Sequence, residues 1–208
     1  MGDGRQTTDG EQPATGDGRE FKGHGDPAAG RGLSSAALLE RARAIRFLLT
    51  DCDGVLTDNG VYYSAAGEEM KRFSIRDGMG VERVRALAGV EVGVITGEHS
   101  GPVQRRAEKL AITELYLGIR DKPAVLREIL ARHSLSADQV AYIGDDTNDV
   151  AIMSQVGLAA CPADATRFAR AAAHYVCPSR GGYGAFRDFA ELIIAAQTNA
   201  ATFGDFAL

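Results

Sequence analysis

From residue 45 onward, short apolar runs alternate with amphipathic stretches. The runs predict strands over Ile45–Thr50, Val90–Thr96, Glu114–Leu117, Val140–Gly144, Gly157–Ala160 and His174–Cys177. Helices are predicted between them, at about 79–89, 100–110, 122–133, 148–155, 164–171 and 184–197. The stretch from Leu33 to Arg46 reads as a further helix, with Ser34 or Ser35 as N-cap. Runs such as FLLT, VGVIT and VAYIG are apolar on both faces, the pattern of central parallel strands covered by helices on each side. The expected fold class is therefore α/β, a doubly wound, Rossmann-like parallel sheet. Ligands in that architecture bind beyond the carboxyl ends of the strands, so chemistry is expected directly after each run.

Four such positions carry candidate groups. After the first run come Asp51-Cys52-Asp53-Gly54, two carboxylates at a strand end beside a glycine that allows a sharp turn. One can attack or bind metal while the other handles protons; alone, the pair also reads as a turn whose aspartates cap backbone N–H groups. After the second run, Thr96-Gly97-Glu98 offers a hydroxyl and backbone amides for a phosphate oxygen, or simply a helix N-cap. Lys122 opens another helix and is a point charge able to neutralise phosphate or orient a carboxylate. After Ile143, the segment Gly144-Asp145-Asp146-Thr147-Asn148-Asp149 packs three carboxylates together. Like charges so close repel unless a hard cation intervenes, and Mg²⁺ beside a substrate phosphate is the usual solution. These elements recur in order, 45, 26 and 23 residues apart, at what topology makes one sheet edge. Coincidence of four capping turns there is the weaker explanation.

Composition narrows the possibilities. Residues 1–32 hold nine glycines, ten charged residues and five hydrophobic ones, too little apolar area to offset ordering entropy. They are expected to be a disordered extension, followed by a single domain over 33–200 and a tail over 201–208. The formal net charge of −5 argues against a nucleic-acid surface, and no apolar run is long enough to span a bilayer. Three scattered cysteines and the absence of a signal-peptide pattern suggest a reducing, cytoplasmic setting.

The four elements resemble the haloacid dehalogenase superfamily of phosphohydrolases over essentially residues 45–197. Within it, D-C-D-G-V-L-T-D, the stretch Gly67–Val81, Y-I-G-D-D-T-N-D and the late R-G-G-Y-G-A-F-R resemble the 3-deoxy-D-manno-octulosonate 8-phosphate phosphatases. That resemblance implies a capless fold with a β-hairpin flap and Mg²⁺-dependent hydrolysis of a 2-keto-3-deoxy sugar acid phosphate. It implies Asp51 as the nucleophile that becomes an aspartyl-phosphate, and Asp53 as acid and then base. Thr96 and Lys122 would hold phosphoryl oxygens. Asp51, Asp145 and the Asp53 carbonyl would bind Mg²⁺, with Asp146 and Asp149 acting through water or through those ligands. Asp77, Gly78, Gly97 and Arg187 are expected to contact substrate, although Arg187 also reads as a helix salt bridge.

One stretch departs from the octulosonate pattern. Where those enzymes carry Arg after Thr-Gly, this chain has Glu98, and Thr96–Leu110 is similar to phosphatases of nonulosonate 9-phosphates. In that subgroup the matching Glu98 and Lys109 face the sugar acid. The 42 residues between Asp53 and Thr96 and the 22 between Lys122 and Asp145 are too few for a cap domain, which argues for an oligomer, and the resemblance implies a homotetramer. Hairpins of neighbouring subunits would then exclude water. Two alternatives are a capless phosphatase acting on a phosphoprotein and a non-catalytic oligomerisation module like those of acylneuraminate cytidylyltransferases.

Overall fold

A computed structural model describes residues 33–198, so the expectations for 1–32 and 201–208 lie outside the described residues. The chain begins with α1 (Ser35–Ala44) and β1 (Phe47–Thr50), then forms a hairpin of β2 (Thr57–Ser64) and β3 (Gly67–Phe73), followed by α2 (Ile75–Ala88). Strands and helices alternate thereafter: β4 (Glu91–Ile95), α3 (Gly101–Lys109), β5 (Glu114–Tyr116), α4 (Lys122–His133), β6 (Val140–Ile143) and α5 (Val150–Met153). The last elements are β7 (Leu158–Cys161), α6 (Arg167–Ala172), β8 (Tyr175–Val176) and α7 (Ala185–Thr198). Six strands form one sheet in the order β5-β4-β1-β6-β7-β8, with every neighbouring pair parallel. This is the doubly wound architecture read from the sequence, and the hairpin stands apart as a two-stranded sheet.

Period-2 alternation divides the strand side chains between two cores. Leu48, Val92, Val94, Ala141, Ile143, Leu158 and Ala160 face the layer of α1, α2, α3 and α7, where Phe186 and Phe189 are wholly buried. Phe47, Leu49, Ile95, Val140, Tyr142, Ala159 and Cys161 face α4, α5 and α6. Register then fixes the functional edge. Thr50 pairs with both Val94 and Ile143, so the residues following β1, β4 and β6 emerge at the same level.

The helix starts follow from local capping. Ser34, Ser74, Ser100 and Asp121 accept hydrogen bonds from backbone N–H groups three residues on, at the starts of α1, α2, α3 and α4. The Ser74 cap explains why α2 begins at Ile75, four residues before the predicted start. The helix predicted over 148–155 is instead a 3₁₀ turn, Thr147–Asp149, followed by the one-turn α5. Its cause is the Asp149 carboxylate, which accepts from the Asp145 and Asp146 N–H groups and winds the segment tightly. The helix predicted over 164–171 starts later, at Arg167, where Thr166 caps it. Among the described residues, no helix is long and apolar enough to cross a membrane.

Candidate active site

The level strand ends open onto a cavity of about 230 Å³ lined by Asp51, Asp53, Asn59, Thr96, Gly97, Glu98, Asp145, Asp146, Thr147 and Asn148. Asp51 follows β1 directly, its N–H bonded to the Ile143 carbonyl at 2.9 Å. The chain then turns back through Gly54 at φ +82°, a left-handed conformation that glycine adopts without strain. A Cβ at that position would overlap the Asp145 carboxylate, so the glycine also lets the two acidic loops touch. The glycine-rich loop at 181–184 presses on the same turn: Gly182 N–H donates to the Val55 carbonyl at 2.8 Å, and a Cβ on Gly181 would meet Gly54 backbone.

Behind the cavity lies a buried ionic network. Lys122 Nζ stands 2.9 Å from Asp51 Oδ1, 2.7 Å from Asp149 Oδ1 and 3.1 Å from the Tyr142 hydroxyl. The Tyr142 hydroxyl donates to Asp149 Oδ1 at 2.6 Å. Asp149 thus spends one oxygen on Lys122 and Tyr142 and the other on two backbone N–H groups, and it is fully buried. Asp51 Oδ1 is buried and paired with the Lys122 ammonium, a counter-charge it has to share with Asp149. Ligand oxygens of Asp51, Asp145 and Asp149 all lie within 4.8 Å of one another.

Electrostatics follow from this crowding. Burial and then the charge of Asp149 push both the Asp51 and the Asp145 carboxyls up to about 7. Burial alone would lower the Lys122 ammonium, but Asp51 and Asp149 outweigh it and hold its pKa above the usual lysine value. Burial and Asp149 likewise push the Tyr142 phenol well up, so it stays a neutral donor. Lys122 is therefore the counter-charge of the acidic cluster, and a second cation would relieve the remaining repulsion.

The candidate residues separate by location. Asp51, Asp53, Thr96, Gly97, Glu98, Asp145 and Asp146 all line the cavity, whereas Lys122 and Asp149 stand behind it. Thr96 Oγ1 accepts from the Glu98 N–H at 3.3 Å, which leaves the hydroxyl proton to donate. The Asp146 carboxylate caps the 3₁₀ turn through the Thr147 N–H. Asp77, Gly78, Lys109 and Arg187 are not part of the cavity lining. Asp77 is buried, and its two oxygens accept from the Gly184 and Arg187 N–H groups at 3.2 and 3.0 Å, which caps α7. Burial pushes its carboxyl up to about 6 against those hydrogen bonds. Gly78 is buried where a side chain would collide with the Arg106 guanidinium. Arg187 Nε pairs with Glu191 at 2.6 Å, the helix salt bridge already considered, and Lys109 is exposed at the end of α3.

Sequence reasoning missed Asn59, Lys71 and Tyr142. Asn59 donates from Nδ2 to Asp145 Oδ2 at 3.2 Å across the cavity. Its backbone is left-handed, φ 65°, in an Asp-Asn-Gly triplet, which is the signal a turn-focused reading would have used. Tyr142 sat within an apolar run, and Lys71 lay in a hairpin without a visible tie to the site.

Residues 108–184 match the haloacid dehalogenase-like hydrolase family. The chain is 42% identical over 160 residues to the 3-deoxy-D-manno-octulosonate 8-phosphate phosphatase KdsC of Yersinia pestis, covering 77% of this chain and 85% of that protein. It is 39% identical over 166 residues to KdsC of Escherichia coli K12, covering 80% and 88%. The crystal structure of the Yersinia pestis phosphatase superposes with a TM-score of 0.75 at 42% identity, covering 78% of this chain and 87% of that one. The Moraxella catarrhalis enzyme, solved with a magnesium ion, a phosphate ion and a KDO molecule, superposes with a TM-score of 0.77 at 31% identity, covering 80% and 95%. With identity this high across most of each relative, the chain belongs to the octulosonate 8-phosphate phosphatase family, phosphoric monoester hydrolases of the haloacid dehalogenase superfamily.

Proposed function

We propose that the chain is a Mg²⁺-dependent phosphatase of 3-deoxy-D-manno-octulosonate 8-phosphate, acting through an aspartyl-phosphate on Asp51. The observation that carries this reading is Asp51 itself. Its carboxylate is buried at a strand end on the cavity, shares the single Lys122 counter-charge with Asp149 and belongs to a cluster of three carboxylates within 4.8 Å. All-oxygen donors, crowded and short of positive charge, fit a hard divalent cation. Asp51, Asp145 and the Asp53 main-chain carbonyl would hold Mg²⁺, with Asp149 fixing the loop of Asp145 and Asp146. When bound, the ion adds positive charge beside the phosphoryl oxygens.

In the first half-reaction the Asp51 carboxylate attacks phosphorus while the ester P–O bond breaks. Asp53 gives a proton to the departing sugar oxygen. In the second half, Asp53 takes a proton from water, the water oxygen attacks phosphorus, and phosphate leaves with Asp51 restored. Two displacements replace one difficult hydrolysis. The Thr96 hydroxyl donates to a phosphoryl oxygen, the Gly97 backbone flanks it, and Lys122 favours the ionised form of Asp51 against the burial and the Asp149 charge that raise its pKa.

Glu98 is the candidate reader of the sugar, because it lines the cavity beside Thr96. It also supports a second substrate reading, a nonulosonate 9-phosphate, since a carboxylate accepts hydrogen bonds from additional hydroxyls. We further propose a homotetramer. Val61, Tyr62, Tyr63 and Met70 on the hairpin are 38%, 58%, 70% and 60% exposed, an apolar tip that neighbouring subunits would bury.

Phosphate release from octulosonate 8-phosphate, deoxynononate 9-phosphate and an acylneuraminate 9-phosphate, each with Mg²⁺ and with chelator, tests the reading. Highest kcat/KM on the octulosonate, abolished by chelator, supports it. Preference for a nine-carbon ester would move the assignment to the nonulosonates. Turnover indifferent to chelator, or no turnover of any ester, would refute it.

A further inference from the structure

The hairpin does more than present an apolar tip. Lys71, on β3, has a side chain of 0% exposure, and its Nζ lies 2.8 Å from both carboxylate oxygens of Asp53. The same ammonium lies 3.3 Å from Glu68, which accepts a hydrogen bond from Ser100 Oγ, the N-cap of α3. Thr57 Oγ1 also donates to Asp53 Oδ1, at 3.3 Å. A continuous polar chain, Asp53–Lys71–Glu68–Ser100, thus joins the turn after β1 to the loop after β4 that carries Glu98.

Packing does not explain this lysine. Burial alone would lower the Lys71 ammonium, but its hydrogen bonds and ion pair to Asp53 outweigh burial and hold its pKa above the usual lysine value, so it stands as a fixed cation against that carboxylate. What the ammonium adds is direction. Asp53 sits on a turn at the cavity edge with its side chain 21% exposed, and spanning both its oxygens restricts the carboxylate to one orientation. Groups that exchange protons with a reacting atom lose rate when that orientation is loose.

We infer that Lys71 is a positioning residue for Asp53, through which the hairpin fixes the acid–base carboxylate; this rests on the reading of Asp53 as acid and base. Lys71 is not part of the cavity lining, so it acts through Asp53. Its removal should reproduce loss of Asp53 function and nothing else.

The test compares K71M, K71R, D53N and D53N/K71M on two substrates, octulosonate 8-phosphate and 4-nitrophenyl phosphate. Nitrophenolate departs without a proton, so only the water step needs Asp53. On the sugar phosphate, K71M should lower kcat about a hundredfold, the low end for a positioned acid or base, and leave KM within about twofold. On the aryl ester, K71M and D53N should both release a burst of one nitrophenolate per site before a slow steady rate. K71R should recover to within about tenfold of wild type, and K71M in the D53N background should cost less than about twofold more. Wild-type kinetics in K71M, or its full cost persisting without Asp53, would overturn the inference while leaving the acid–base reading standing. Wild-type turnover in D53N would sink that reading first. Should K71M fail to fold by circular dichroism, E68Q decides: a severalfold lower kcat with unchanged thermal unfolding supports the inference, and unchanged kcat overturns it.

Discussion

Replacing Lys122 with Met isolates the electrostatics of the site, because the thioether keeps the apolar stem and removes only the charge. The side chain is 1% exposed and pairs with Asp51 at 2.9 Å and Asp149 at 2.7 Å. Without it, three carboxylates within 4.8 Å of one another face no cation from the protein. Removing one partner of a buried pair costs about 3–5 kcal/mol, which in a domain of this size lowers Tm by roughly 6–20 °C. The cost should depend on pH with a definite sign. Asp51 and Asp145 have folded pKa values raised to about 7 from an ordinary 3.8, so the folded state holds extra protons between those limits. That proton-linked stability is present in full below pH ~4 and is lost as pH rises through ~7. Lys122 lowers both values, so the variant's carboxyls should titrate still higher and its loss window should move upward. Thermal and urea unfolding with chelator, at pH 5.5 and pH 8, measure this. The deficit should be full at pH 8 and at most about half as large at pH 5.5. An equal deficit at both pH values, or none at pH 8, would refute the electrostatic account of Lys122.

Further outcomes are expected elsewhere in the molecule. Asp77→Ala removes the acceptor for two N–H groups at the start of α7 and should cost about 1–2 kcal/mol in urea unfolding with KM unchanged; a large rise in KM would instead restore Asp77 to the substrate. Glu98→Ala should raise KM for the sugar ester severalfold while leaving 4-nitrophenyl phosphate turnover near wild type, and equal effects on both would remove Glu98 from sugar recognition. Tyr63→Glu places a charge on the exposed hairpin tip and should reduce the solution mass to that of a single 22.0 kDa chain by light scattering. An unchanged mass would show that the tip is not the subunit contact.

The fold was legible because its strands are apolar on both faces and its candidate groups fall just after them. Leu48 and Leu49 enter opposite cores as period-2 alternation requires, and Asp51, Thr96 and Asp145 emerge at one edge, the latter two one residue beyond Asp51, because Thr50 pairs with Val94 and Ile143. Boundaries set by side-chain caps were harder to see. Ser74 moved the start of α2, and Asp149 converted a predicted helix into a 3₁₀ turn by turning its carboxylate onto neighbouring N–H groups. Within the site, residues adjacent to a strand end could be placed, whereas partners brought in by tertiary packing could not. Asn59 reaches Asp145 across 86 positions, and Lys71 reaches Asp53 only because β3 folds back over the turn. Asp77 and Gly78 show the converse: a motif marks residues that matter without saying whether they face the cavity or the α2–α7 contact.

The central claim is that Asp51 carries the phosphoryl group between the two half-reactions. Acid-quenched single turnovers with octulosonate 8-phosphate and Mg²⁺, digested and read by mass spectrometry, test it most directly. The account predicts one added phosphoryl group on the peptide containing Asp51, accumulating in D53N and absent from D51N, which should not turn over. Turnover by D51N, or catalysis by D53N through a measurable pre-steady state with no covalent phosphate at any time point, would contradict it.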